Sequence, residues 1–301
     1  MTVLLHLLLI IILAFTCGAL LTWPVYEVLQ WFTEVRFNKL MSHVITLCAF
    51  VFIFLLLRYY KSLDRDTIGF RVRTSDIPAP LLHGIVAGIL IMGVLEILLY
   101  GLGVHKTEPE LQPGTGFFLL LTLKAIVSGI VVAILEETLY RGALLGFLLR
   151  KTGILFAVLL SSVIYSAVHF LSFPAVAESA GIHLMTGIIL LPQAFVRFSD
   201  PAILEAFLAL TMFGILLSLL RIHNGNIVQC IGLHAGVVIA IKYIKELTDY
   251  AYGNQYAVLV SSFDHLLGYL ALFWLTVLTL GYFCLTRQKI CNNPDKKSIS
   301  G

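Results

Sequence analysis

The sequence predicts an all-α fold, a polytopic transmembrane bundle of about eight helices, and three observations carry that expectation. Of 301 residues, 59% are hydrophobic and only 12% charged, whereas a soluble domain is about a quarter charged. Apolar runs recur that are long enough to cross roughly 30 Å of hydrocarbon as helices, and a helix satisfies its own backbone hydrogen bonds where no water can. Lys and Arg fall mainly in short connecting segments, the pattern that sets membrane topology. The net charge of +3 is scattered rather than gathered on a basic face, so nucleic acid is excluded as a partner. The expected partners are the lipid bilayer and a membrane-associated peptide or protein.

The runs lie at 3–23, 40–57, 81–103, 117–149, 153–172, 202–220, 226–244 and 258–285. The first begins without Lys or Arg, and Ala14-Phe15-Thr16 before Cys17 is a poor processing site, so it reads as a retained helix rather than a cleaved signal. The fourth, about 33 residues or near 50 Å at 1.5 Å per residue, is longer than a bilayer needs and must tilt or protrude. Between the fifth and sixth runs, Ser172 to Ser199 carries Pro174, Pro192 and only a short apolar stretch, His183 to Leu191. That segment is predicted to be interfacial or re-entrant. Arg58, Lys61, Arg65, Arg71, Arg73, Arg150, Lys151, Arg221 and the tail residues Arg287, Lys289, Lys296 and Lys297 then mark the cytoplasmic side, with both termini there. Arg197, Lys242 and Lys245 fall on the opposite side, against that rule. Residues 1–286 are expected to form one bundle, with 287–301 a polar tail. Cys17, Cys48, Cys230, Cys284 and Cys291 show no C-x-x-C spacing and read as free thiols.

Within the fourth run stand two adjacent acids, Glu136 and Glu137, with Arg141 four residues after the second. A charged side chain at mid-membrane costs roughly 2.5–3.5 kcal/mol on insertion scales, so acids in such a place point to function. On a helix, Glu137 and Arg141 share a face in the favoured order for an ion pair, while Glu136 points about 100° away. The pattern assigns Glu137 to the arginine and leaves Glu136 for chemistry. Tyr165 and His169 are again four apart in the fifth run, and His234 lies in the seventh, eight residues after Asn226. Counted by helix rise, Glu136 and His169 sit roughly 20–25 Å from the cytoplasmic face and His234 roughly 12 Å. Each residue also has a plainer reading: membrane histidines commonly hydrogen-bond between helices, and Glu137 with Arg141 can be a structural pair. Glu96, Lys124, Asp264 and His265 are left outside the site, the last two being placed near the start of the eighth helix.

Glu136-Glu137-Thr138-Leu139-Tyr140-Arg141, then Tyr165-Ser166-Ala167-Val168-His169, then His234 after a Gly-Asn segment, resembles the motif order of the CPBP family. That family comprises the CAAX prenyl endopeptidases and the bacteriocin-processing or immunity proteins, also called Abi. The resemblance covers about 117–241. It implies an intramembrane endopeptidase in which Glu136 activates water, His169 holds that water with it, and His234 contributes to the oxyanion site, with Glu137, Arg141 and Tyr165 supporting. No H-E-x-x-H helix is present, so no metal or other cofactor is assigned. Glu136, His169 and His234 as three zinc ligands form the second choice. Two departures stand out: Tyr165 replaces the usual phenylalanine, and Val238 stands where the family commonly has Asn. Valine donates no hydrogen bond, so another donor such as Asn226 or Gln229 is needed, or the protein is a catalytically silent binder or scaffold. A proton-coupled transporter with Glu136, His169 and His234 as relay is the third reading, and the internal pseudo-symmetry that transporters show is absent.

Overall fold

The computed structural model describes residues 2–107, 114–176 and 181–291. Ten α-helices and one two-stranded sheet occur among them: α1 (Thr2–Leu29), α2 (Phe37–Tyr59), α3 (Pro78–Gly101), β1 (His105–Thr107), α4 (Thr115–Glu137), α5 (Leu145–Lys151), α6 (Ile154–His169), α7 (Thr186–Leu190), α8 (Leu204–Asn224), α9 (Val228–Leu247), β2 (Thr248–Tyr250) and α10 (Tyr269–Cys291). A π-helical segment, Thr138–Leu144, joins α4 to α5, making one continuous apolar helix of 37 residues, Thr115–Lys151. Seven helices are long and apolar enough to cross a membrane, and α6 is a shorter apolar helix. The chain is an integral, multi-pass membrane protein. Leu119, Leu155 and Ile97 turn more than 70% of their surface outward, as suits faces solvated by lipid rather than water.

The chain forms two compact units. The first contains residues 1–64 and 167–203. Its α1 and α2 touch at Gly18, where an added Cβ would lie 2.7 Å from the Ile45 backbone, and α7 seats Gly187 against the carbonyl of Ala19 in the same way. Phe37, Met41, Ile45, Phe173 and Leu190 fill the space between. From Ser172 to Ser199 only the five residues of α7 are α-helical among those described, followed by the 3-10 segment Pro192–Ser199, and nothing there is long enough to cross.

The second unit, residues 65–166 and 204–301, holds α3 to α5, most of α6, and α8 to α10. Here α3 and α9 run parallel and almost backbone to backbone. A Cβ on Gly84 would meet the Gln229 carbonyl at 2.6 Å, and one on Gly88 the Leu233 carbonyl at 2.2 Å, the small-residue packing by which membrane helices approach without a hydrophobic drive. α4 lies along α9 through Ala133, Ile227, Ile231 and Ala235.

Two sequence expectations are corrected. The last apolar run begins its helix at Tyr269, not 258, and the helix continues through 287–291, previously placed in the tail. Residues 292–301, with Lys296 and Lys297, lie outside the described residues. The run breaks because Asp264 Oδ1 accepts the N–H groups of Leu266 and Leu267, His265 takes a left-handed φ of 58°, and the Cα of Gly268 sits against the backbone of Val260 and Ser261. Asp264 and His265 therefore belong to a folded loop ahead of the helix.

That loop joins the ends of α3 and α9. β1 pairs antiparallel with β2, His105 opposite Tyr250, and Asn254 Nδ2 donates to the Gly103 carbonyl at 2.7 Å. His105 Nδ1 lies 2.7 Å from Glu96 Oε2, and its Nε2 lies 2.8 Å from the His265 carbonyl. A carboxylate and a carbonyl both accept, so the ring satisfies both as the imidazolium. Burial opposes that charge, but the Glu96 carboxylate, the His265 carbonyl and the nearby Asp264 outweigh it and raise the His105 pKa above its ordinary 6.5. The stability from this contact is therefore complete below 6.5 and is lost as pH rises through the higher folded-state value. A fall in unfolding midpoint above that pH is expected for the wild type. His105→Gln should flatten this step; an unchanged step would show that another group titrates.

Candidate active site

The site lies in the second unit, where α4 ends and the π-helical segment begins. A π turn closes i to i+5 bonds and so re-aims side chains within one helix, which is why such segments mark functional places. Glu136 and Glu137 are the last two residues of α4, and Arg141 lies within the π segment. Glu137 is fully buried, Arg141 is 1% exposed, and the Glu136 side chain is 29% exposed.

Arg141 Nη1 donates to Glu137 Oε1 at 3.2 Å. Its other terminal nitrogen points at the Gly214 carbonyl of α8 at 3.4 Å, and the guanidinium carbon stands 4.1 Å from the centre of the Tyr165 ring. A buried arginine thus has an anion, a carbonyl and an aromatic face around it, the partners that offset removal from water. Gly214 makes the approach of α8 feasible: a Cβ there would lie 2.9 Å from the Cβ of Ser162. Ser166 Oγ donates to the Phe207 carbonyl at 2.7 Å, tying α6 to α8 beside it.

His234, in α9, bridges the two acids. Its Nδ1 lies 2.8 Å from Glu137 Oε1, so Nδ1–H donates to that carboxylate and fixes the tautomer. This leaves Nε2 facing Glu136 Oε2 at 3.8 Å. The edges of Tyr165 and Phe213 hold the ring, at centroid distances of 6.2 and 5.9 Å. Glu137 Oε2 is buried without a hydrogen-bond partner among the described residues, an acceptor position left at the site. Helix counting set Glu136 and His234 at different depths, whereas the neighbouring Glu137 bonds His234 directly.

The structure thus brings Glu136, Glu137, Arg141, Tyr165 and His234 together. His169 is the last residue of α6 and belongs to the first unit. Asn226 sits apart, in the turn before α9: its Oδ1 accepts Val228 N–H at 3.1 Å and its Nδ2 donates to the Asn224 carbonyl at 3.1 Å. Gln229 Oε1 accepts from Asn224 Nδ2 in the same turn. Asn226 is thereby engaged as donor and acceptor, and Gln229 as acceptor, at the end of the helix. Val238 lies one turn beyond His234 and is partly buried. Among the described residues no three His, Cys, Asp or Glu side chains form a group able to hold a metal ion. Of the zinc set, Glu136 and His234 lie in the second unit and His169 in the first.

The arrangement gives each acid a different task. Glu137 is sealed, neutralised by Arg141 and bonded to His234, and it can orient but not exchange with solvent. The Glu136 side chain is partly exposed, with its buried Oε2 3.8 Å from an imidazole nitrogen, and a carboxylate beside an imidazole is the pairing that a general base and proton carrier need. Sequence reasoning gave no packing role to Gly142 and Gly146, which receive the carbonyls of Ile68 and Thr67, and read Arg221 only as a topology signal, although its guanidinium bonds the Asp66 and Thr67 carbonyls.

Residues 118–240 match the family model described as Type II CAAX prenyl endopeptidase Rce1-like. A Bacillus subtilis (strain 168) protein named "Putative membrane peptidase YdiL" is 38% identical over 79 residues, which is 26% of this chain and 32% of that protein. The matched part spans about a third of the relative's length. No solved structure matches.

Proposed function

We propose that this chain, a CPBP-family protein through residues 118–240, is a glutamate-dependent intramembrane endopeptidase that cleaves a membrane-associated or lipid-modified peptide. The observation that carries this reading is the asymmetry of the two acids: one buried and paired, the other 29% exposed beside the free edge of His234. In the reaction, Glu136 takes a proton from water as the oxygen attacks the scissile carbonyl. Glu136 then passes that proton to Nε2 of His234, whose Nδ1–H is held by Glu137, and the imidazolium so formed donates Nε2–H to the oxyanion and gives the proton to the leaving amine. Arg141 and Tyr165 act through Glu137, fixing its carboxylate and hence the imidazole. Both termini are assigned to the cytoplasm by the basic segments, and the bilayer supplies the substrate laterally.

The test offers proteoliposomes three peptides: a prenylated C-terminal sequence, its unmodified copy and a single membrane-spanning helix. A new terminus released from any of them supports the proposal. Folded wild-type protein that cleaves none contradicts it.

A second reading, a catalytically silent binder, draws on Val238, with Asn226 engaged elsewhere as donor and acceptor and Gln229 as acceptor. Loss of one oxyanion donor costs about 10²–10³ in rate. Val238→Asn is accordingly expected to raise cleavage by about tenfold or more if wild-type activity is limited there. No gain would show that another donor already fills the role.

A further inference from the structure

We infer that the turn Asp66–Gly69, locked in place by Arg221, is the positioning device that sets the acid-bearing helix against the histidine-bearing one. Arg221 is then a positioning residue, acting through the turn and touching no reacting atom; this rests on the peptidase reading above.

Arg221 is buried near the end of α8. Its Nη2 donates to the Asp66 carbonyl at 2.9 Å and to the Thr67 carbonyl at 3.3 Å. Gly69, at φ 72°, lies over the guanidinium, where a Cβ would come within 2.6 Å of Nε. The turn is closed by Gly69 N–H to the Asp66 carbonyl and Phe70 N–H to the Arg65 carbonyl. Held this way, its successive carbonyls face three places. Thr67 O meets Gly146 of α5 so closely that a Cβ would lie 2.0 Å from it, and Ile68 O faces Gly142 of the π segment, with 2.9 Å left for a Cβ. Gly69 O accepts the N–H of Ile227 at 3.1 Å, immediately before α9. One rigid turn therefore touches the π segment one residue after Arg141, and the start of the helix that carries His234 two turns on.

This arrangement gives a reason for the π segment itself. A seven-residue π stretch holds only where surrounding structure over-determines it, and here two glycines let backbone carbonyls press on the helix at two points. One guanidinium nitrogen, Nη2, donates to both carbonyls while the rest of the planar group lies under Gly69; lysine at 221 keeps the charge but lacks that plane.

The test compares purified wild type, Arg221→Lys and Gly69→Ala in lipid nanodiscs. Gly69→Ala disturbs the same clamp from the other side and leaves the buried arginine in place, so misfolding of one variant does not decide the matter. Hydrogen exchange of amides 138–147 is expected to quicken by about tenfold or more in both variants. With a cleavable peptide, kcat should fall about 10–100-fold with KM within about twofold, since small misplacements of catalytic groups cost this much. Unchanged exchange over 138–147, or faster exchange with unchanged kcat, would overturn the proposal. If wild type cleaves nothing, the peptidase reading fails separately, and the exchange result alone decides the clamp.

Discussion

Replacement of Glu136 by Gln should lower single-turnover cleavage by about 10³-fold or more while leaving the protein folded. General base catalysis supplies about 10²–10⁴ in rate, and the amide keeps the size of the carboxyl but cannot take a proton. The fold should tolerate the change because Glu136 is partly exposed and glutamine matches its size and shape. The check is the cleavage rate together with the unfolding midpoint of the same preparation. A variant retaining a rate within about tenfold of wild type would remove Glu136 from the chemistry.

Glu137→Gln should act on the fold instead. Arg141 and Glu137 are both within 1% of full burial, and removing one partner of a buried ion pair leaves the other charge uncompensated, at a cost of about 3–5 kcal/mol. The same change removes the charged acceptor of His234 Nδ1–H, so activity should fall as well. The double variant Glu137→Gln/Arg141→Met should regain part of the stability, because the orphaned cation is gone, yet not the activity. Denaturant titration of the three proteins measures this. Equal stability of Glu137→Gln and wild type would show that Arg141 is held by Gly214 and Tyr165 without its anion.

Much of this was legible in the sequence because membranes impose simple rules. The lengths of the apolar runs located the helices, and two acids amid them, followed by Arg141, marked the centre of the site. His234 was visible as a polar residue in a small-residue helix. The π segment had no signature: Thr138 to Leu144 reads like ordinary helix, and its geometry depends on carbonyls from Thr67 and Ile68, distant in sequence. Arg221 was read as a topology signal, whereas its guanidinium is buried against a turn. The run from 258 looked like continuous helix because hydrophobicity does not reveal that Asp264 caps Leu266 and Leu267. Asn226 attracted attention as a donor, but a residue of that type before a helix readily bonds its own backbone.

The central claim is that Glu136 drives hydrolysis while Glu137 holds the histidine beside it. Its most direct test is mass spectrometry of peptide termini formed in liposomes containing purified wild type, Glu136→Gln or no protein. The account expects new termini with wild type and none above the empty-liposome background with Glu136→Gln. The same termini appearing undiminished with the folded Glu136→Gln protein would contradict it.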